Sequence, residues 1–267
     1  MTETKIHPTA IISRDAKIGE GVVIGPYTVI GEKVVINDQT YIGPYCIIEF
    51  SRIGKRNKIL GHACIGTPPQ DYKYTGQETY VEIGDDNIIR EFVSIHRGTP
   101  NGHGVTKVGS GCFLMANSHI GHDCIVGDRV ILVNSAALAG HSEVENNAIL
   151  SGLCGVHQFT RIGCYVMLSG GAMASQDIIP YVIAQGDRAR PVGLNIVGLK
   201  RAGFSSEAIK NIKYAFKTLF MKGLKLEDAL ERLEKENISP EVNHIVEFCR
   251  KSKRGIARPR KLLEDVQ

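Results

Sequence analysis

The sequence predicts a mainly β fold, a parallel β-helix of hexapeptide repeats followed by a C-terminal α-helical domain. Three observations carry that prediction. Aliphatic residues recur at every sixth position for most of the chain, glycine and small residues hold fixed offsets from them, and after about residue 190 the period gives way to helical spacing. The domains expected are residues 1–190 and 191–267.

The hexads begin early. Every sixth residue from Ile6 to Ile48 is isoleucine, eight in unbroken register. The phase slips by one, and Ile53, Ile59 and Ile65 follow, then Ile83, Ile89 and Ile95. After a second slip, eleven aliphatic residues run from Val108 to Leu168. This period is neither the 3.6 of a helix nor simple alternation; it marks short strands that meet at tight corners. Glycine often follows the aliphatic residue, as at Ile18-Gly19 and Ile42-Gly43, where it would tolerate the backbone angles of a corner. A small residue often sits four positions on, at Thr28, Cys46, Cys112, Cys124, Ala136 and Cys154, and would stack inward coil upon coil. The four cysteines among these read as core packing rather than chemistry, because free Cys behaves as a small hydrophobe.

Two excursions interrupt the repeat, near residues 66–80 and 98–107. Long loops within a compact domain are usually functional or disordered. The first holds Gln70, Asp71 and Lys73, a set suited to a polar ligand. The 18-residue gap from Ile65 to Ile83 preserves the hexad phase across it. Beyond residue 190, Ser205-Ser206-Glu207 reads as a helix start, with Phe204, Ile209, Ile212, Ala215 and Leu219 at helical spacing and Gly223 as a stop. A second helix is expected over Leu226 to Asn237, and a third from Ser239-Pro240-Glu241, with serine as cap and proline in the first turn. The tail from Arg258 onward is expected to be less ordered.

Composition narrows the function classes. With 267 residues, 43% hydrophobic and 22% charged, the chain fits one or two ordinary globular domains. No apolar run approaches 18 residues, so no integral membrane segment is expected. The opening residues lack a basic and then apolar leader, so no secretory signal is expected. Seven cysteines without a CxxC pair read as reduced thiols. Residues 1–186 carry 14 basic and 17 acidic side chains, against 18 and 11 in residues 187–267. The basic C-terminal third suits an acidic partner or a phosphorylated ligand, or simply solvated helix faces. No nucleic-acid motif is present, and the long β-helix is net acidic.

Residues 18 apart should sit one above another on successive coils. His122 then lies beneath Gly140, with His141 beside the latter, and Gly140 beneath Gln158, with His157 beside that; Asp123 follows His122 directly. Spacing alone leaves three readings: a solvated polar corner, a zinc site with His ligands, or a His general base oriented by the adjacent carboxylate. The solvated corner is the commonest outcome on a solenoid.

Longer segments reorder those readings. His119 to Gly127 (HIGHDCIVG), Leu138 to His141 (LAGH), Val156 to Phe159 (VHQF), Tyr181 to Arg201, Ile95 to Thr99 (IHRGT) and Gln70 to Tyr74 (QDYKY) together resemble the acyl-[acyl-carrier-protein]–UDP-N-acetylglucosamine O-acyltransferase family of lipid A biosynthesis. The resemblance runs from about residue 5 through the C-terminal helices. It implies a left-handed β-helix with three hexads per coil. It also implies a cytoplasmic homotrimer that moves an (R)-3-hydroxyacyl chain from acyl carrier protein to the glucosamine 3-hydroxyl of UDP-N-acetylglucosamine, with no metal and no cofactor. By resemblance His122 is the catalytic base, Asp123 its acidic support, and Gly140 the source of an oxyanion-binding N–H. Gln70, Asp71, Lys73, His141, His157 and Gln158 match sugar, phosphate and cleft positions, Asn195 and Arg201 match nucleotide contacts, and Gly170 and Met167 match the acyl-chain groove. Lys200, Arg201, Lys210, Lys213 and Lys217 would steer the acidic carrier protein. Val197 and Ala202 depart from the family pattern, which has an acidic residue and a second Arg there. The later N-acyltransferase of the pathway, acetyl-CoA-dependent hexapeptide transferases, a zinc hydratase and a non-catalytic scaffold are the rivals.

Overall fold

The computed structural model describes residues 3–260. The expectation for the tail therefore lies, from residue 261 on, outside the described residues. Strands mostly two residues long form three sheets of eleven, nine and eight strands. These are the three faces of a prism, visited in turn by Lys5–Ile6, Ile11–Ile12 and Lys17–Ile18 on the first coil. Each coil pairs in parallel with the next, at a step of 18 residues wherever the repeat is uninterrupted: Ile6 beside Ile24, Ile24 beside Ile42, Leu114 beside Leu132, Leu132 beside Leu150. The third face, with eight strands, sets eight complete coils, and at about 4.8 Å per coil the prism is roughly 40 Å long. The aliphatic columns fill it: Ile30, Ile48, Ile65, Leu114 and Leu132 are wholly buried. Cys46, Cys112, Cys124 and Cys154 are buried among them, as expected for packing residues.

The corner glycines have a different cause from the one anticipated. The left-handed angle falls two residues further along and is borne by ordinary side chains, as at Tyr45 (φ 58) and Asp123 (φ 60). What excludes a side chain at Gly43 is space: an added Cβ would lie 2.8 Å from the backbone N of Gly61 on the next coil.

Every interruption lies on one edge, where the chain passes from the second face to the third. The first slip falls between Ile47–Ile48 and Ser51–Ile53. The first excursion joins Cys64–Thr67 to Tyr80–Ile83, and the second joins Ser94–His96 to Val105–Val108. Ile83 pairs with Ile53, so the first loop is inserted at a corner and replaces no coil. The second is shorter than anticipated, because residues 105–107 pair with Tyr80–Glu82 as strand. The same edge then carries the corners at 121–124, 139–142 and 157–160.

The helical pattern expected from residue 190 starts later. Val182–Gln185 and Arg190–Leu194 form an antiparallel hairpin on the end of the first face. A short helix, α1 (Ile196–Arg201), follows; the periodicity does not signal it. Then come α2 (Ser206–Phe220), α3 (Leu226–Glu236) and α4 (Pro240–Arg250), with Ser205 and Ser239 as side-chain caps and Asn237 ending α3 in the left-handed region. Arg161 donates to the Phe248 carbonyl and Ser252 to Asp177, which joins the helices to the last coils. Among the described residues no helix is long and apolar enough to cross a membrane.

Candidate active site

The polar cluster is built from consecutive corners of that one edge. At Asp123 the left-handed backbone turns the carboxylate inward, where it is wholly buried, while His122 stays at the surface of the cleft with 12% of its side chain exposed. His122 Nδ1 lies 2.9 Å from Asp123 Oδ2. The second excursion wraps the same carboxylate. Thr99 donates its hydroxyl to Oδ2 at 2.7 Å and its N–H to both oxygens, and His103 donates its N–H to Oδ1 at 2.8 Å. Burial works against ionisation, but the hydrogen bonds from His122 and Thr99 prevail and hold the carboxyl down to about 2.

An ionised Asp123 fixes the tautomer of its neighbour: Nδ1 carries the proton and donates it, so Nε2 presents a lone pair. Nε2 faces Gly140 on the next coil, so closely that a Cβ there would lie 2.5 Å from it. Among the described residues the Gly140 N–H meets no hydrogen-bond acceptor. The arrangement can take a proton at Nε2 and offer an N–H to a nearby oxyanion. His141 stacks on Phe159 (ring centroids 4.6 Å apart) and meets His122 edge-on at 5.0 Å. Burial lowers its pKa, against the opposing pull of Asp123. Below them Ser94 and His119 Nδ1 are 2.8 Å apart, and burial carries the neighbouring His96 down to about 4.

His122, Asp123 and His141 also lie within metal-ligand reach of one another. The Asp123 oxygens, however, already accept from Thr99, His103 and His122, which leaves a metal no free lone pair on that carboxylate. His157 is outside this group.

The cleft has a volume of about 980 Å³, at the upper end of ordinary ligand sites. It brings together Gln70, His122, Gly140, His157 and Gln158 from the residues predicted. It also contains His119, Met173, Arg188 and Arg254, which the motifs did not single out for a role. Arg254 reaches it from beyond α4 and approaches His157 Nδ1 at 3.2 Å, a long-range meeting that no local pattern announces. His119 is the residue before a hexad isoleucine, an outward strand position, and that offset was its available signal.

The other predicted residues sit apart in a single chain. Asp71 lies near enough to His141 to favour its charged form, and it accepts from the Lys73 N–H within the loop. Arg97, nearly buried, ties down that loop. It donates to the Tyr74 hydroxyl and the Gly66 carbonyl, pairs with Glu49 and stacks over Phe50. The Asn195 amide caps α1, accepting from Gly198 N and donating to the Tyr165 carbonyl, and Arg201 is in the last turn of the same helix. Of the two departures, Val197 is exposed on α1 and Ala202 ends it. Gly170 borders a separate hollow of about 700 Å³ with Phe216, Phe220 and Met221, and Met167 is partly exposed on the last coils.

Comparison with known proteins agrees along the chain. Residues 177–257 match the family profile described as UDP N-acetylglucosamine O-acyltransferase, domain 2, and residues 106–140 match the bacterial transferase hexapeptide. An acyl-[acyl-carrier-protein]–UDP-N-acetylglucosamine O-acyltransferase of Myxococcus xanthus is 49% identical over 95% of this chain and 99% of its own. One from Alkalilimnicola ehrlichii is 45% identical over 96% and 100%. Among solved structures, the UDP-N-acetylglucosamine acyltransferase of Bacteroides fragilis superposes with a TM-score of 0.90 at 44% identity, covering 94% of this chain and 99% of that one. The Francisella novicida enzyme superposes at 0.94 and 38%, covering 98% and 99%.

Proposed function

Because the chain belongs to the acyl-[acyl-carrier-protein]–UDP-N-acetylglucosamine O-acyltransferase family, we propose that it transfers an (R)-3-hydroxyacyl chain from acyl carrier protein to the glucosamine 3-hydroxyl of UDP-N-acetylglucosamine, the first step of lipid A biosynthesis. The chain is an acyltransferase with a left-handed β-helix of hexapeptide repeats. The β-helix, residues 1–190, carries the catalytic groups, and the helical domain, 191–267, receives the carrier. One observation bears most of the mechanism: an imidazole oriented by a buried, ionised carboxylate stands directly beneath an N–H that has no acceptor among the described residues.

His122 Nε2 takes the proton of the sugar 3-hydroxyl as that oxygen attacks the thioester carbonyl. The tetrahedral oxyanion accepts from the Gly140 N–H. As the carbon–sulfur bond breaks, the departing thiolate takes the proton back from His122. Asp123 stabilises the transient imidazolium and does not itself become protonated. No covalent acyl-enzyme, metal or cofactor is required. Gln70, His157 and Gln158 border the sugar, with Asp71, Lys73 and His141 at the rim, and a lysine is a fitting phosphate partner.

Asn195, Arg201, Met167 and Gly170 stand outside the lining of this cleft. Their separation supports a homotrimer in which another copy brings the nucleotide contacts and acyl groove to it. Lys200, Arg201, Lys210, Lys213 and Lys217 are all exposed, and they form the landing surface for an acidic carrier protein. A carrier-bound acyl donor supports action in the cytoplasm.

The test is an acyl-transfer assay with UDP-N-acetylglucosamine and 3-hydroxyacyl carrier proteins of several chain lengths, using wild type and His122→Ala. Product in the wild type and a loss of ~10²–10⁴-fold in the variant are expected. Activity that survives the substitution overturns the general-base assignment. Absence of product with every chain overturns the acceptor and donor assignment.

A further inference from the structure

Away from the cleft, three side chains of different chemistry converge where the helices meet the β-helix. Glu145 and Cys164 stand at corners of adjacent coils, just past the strands Glu143–Val144 and Arg161–Ile162, and His244 comes from α4. Their ligand atoms all lie within 4.8 Å of one another, and each residue is half-buried, neither sealed nor fully exposed. His244 Nε2 is 2.8 Å from Glu145 Oε2, which also accepts from the Cys164 N–H at 2.9 Å. We propose that Glu145, Cys164 and His244 form a site for one thiophilic divalent cation of the zinc class, which fastens α4 to the last coils.

Without a metal, Cys164 and Glu145 both lie close enough to His244 to favour its charged form, so the three groups already interact and a cation must displace the imidazole proton to enter. Cys46, Cys112, Cys124 and Cys154 are explained by burial in the core; Cys164, only partly buried, faces a carboxylate and an imidazole instead. Sulfur, nitrogen and oxygen from three protein ligands match the donor set of zinc, with a fourth position open to water. Thiolate and carboxylate together neutralise a 2+ ion, and binding releases the thiol proton and the His244 ring proton that Glu145 accepts in the metal-free chain. Arg161 approaches the other Glu145 oxygen at 3.7 Å. It is itself held by Glu143 Oε2 and the Phe248 carbonyl, so it orients the carboxylate from behind without entering the site.

The experiment uses the full chain, stripped with chelator and titrated with Co²⁺ and then Zn²⁺. One equivalent of Co²⁺ should bring up thiolate-to-metal absorption in the near ultraviolet, Zn²⁺ should abolish it, and Zn²⁺ should raise the melting temperature. Cys164→Ser should remove the thiolate band, and His244→Ala should weaken binding by more than about 100-fold, beyond what loss of an outer-shell partner costs. Both variants should retain acyl transfer when metal-free, which shows that they fold. A wild type without a thiolate band overturns the proposal. So does binding that Cys164→Ser and His244→Ala leave unchanged, which would assign the metal to the cleft histidines.

Discussion

Replacing Gly140 by alanine tests the active-site geometry with a single methyl group. The added Cβ would lie 2.5 Å from His122 Nε2 and 2.6 Å from Cε1, where ordinary contact begins at 3.4 Å. The imidazole must therefore retreat by about 1 Å, and a misplacement of that size costs on the order of 10²-fold in rate. That is about 2.7 kcal/mol of barrier. The backbone itself has no objection: Gly140 is not among the left-handed glycines, and the same corner position carries His122 one coil below and Gln158 one coil above. The oxyanion N–H also survives. Initial-rate kinetics should show kcat down by ~10² with KM for the nucleotide sugar and the melting temperature close to wild type. An alanine variant with kcat within a factor of about 3 of wild type would refute the close stacking of base and oxyanion donor.

Four further outcomes are expected. Asp123→Asn presents the wrong partner to Nδ1 and should lower kcat by about 10³–10⁴-fold, measured with saturating substrates. Stability should fall on acidification in two stages, followed by denaturant titration. His96 has a depressed folded pKa of about 4, so it contributes up to about 3 kcal/mol that is present above its unfolded value near 6.5 and lost as pH falls to 4. Asp123 then loses a further contribution between about 4 and 2. His96→Gln should lose less than wild type between pH 7 and pH 4.5, and an equal loss would contradict the assignment. Arg97→Met releases Tyr74 and the loop that bears Asp71 and Lys73, so KM for the nucleotide sugar should rise about tenfold with little change in kcat, and an unchanged KM would detach the loop from binding. Reversing Lys210, Lys213 and Lys217 to glutamate should raise KM for the carrier-bound donor, most at low salt, and no change at low salt would dismiss the docking surface.

The prism was legible because a six-residue period with inward isoleucines has one structural meaning, and the helix caps at Ser205 and Ser239 were legible because capping is local. The vertical stacking of His122 under Gly140 followed from the coil length alone. What the sequence could not reveal depended on tertiary contact. The six residues of α1 are too few to show a period. The hairpin forms because the last coil offers an open sheet edge, which Val182–Gln185 takes and onto which Arg190–Leu194 folds back. The corner glycines were read for their backbone angles, whereas the neighbouring coil's backbone excludes a side chain at Gly43. Arg254 enters the cleft from about 100 residues away, and the wrapping of Asp123 by Thr99 and His103 required the second excursion to fold back on its own coil.

The confinement of every irregularity to one edge divides the labour of the solenoid. Two edges keep time, since a residue gained or lost there would throw each later isoleucine out of its column. The third absorbs length, and it has already done so as a loss at Ile48–Ile53 and as two gains beyond Ile65 and Ile95. Each gain ends with the next strand back in register on the face below it. A lineage of such proteins can thus remodel the mouth of its cleft by insertion and deletion, changing what it recognises, while the two metronomic edges preserve the spacing between one coil and the next on which the chemistry depends.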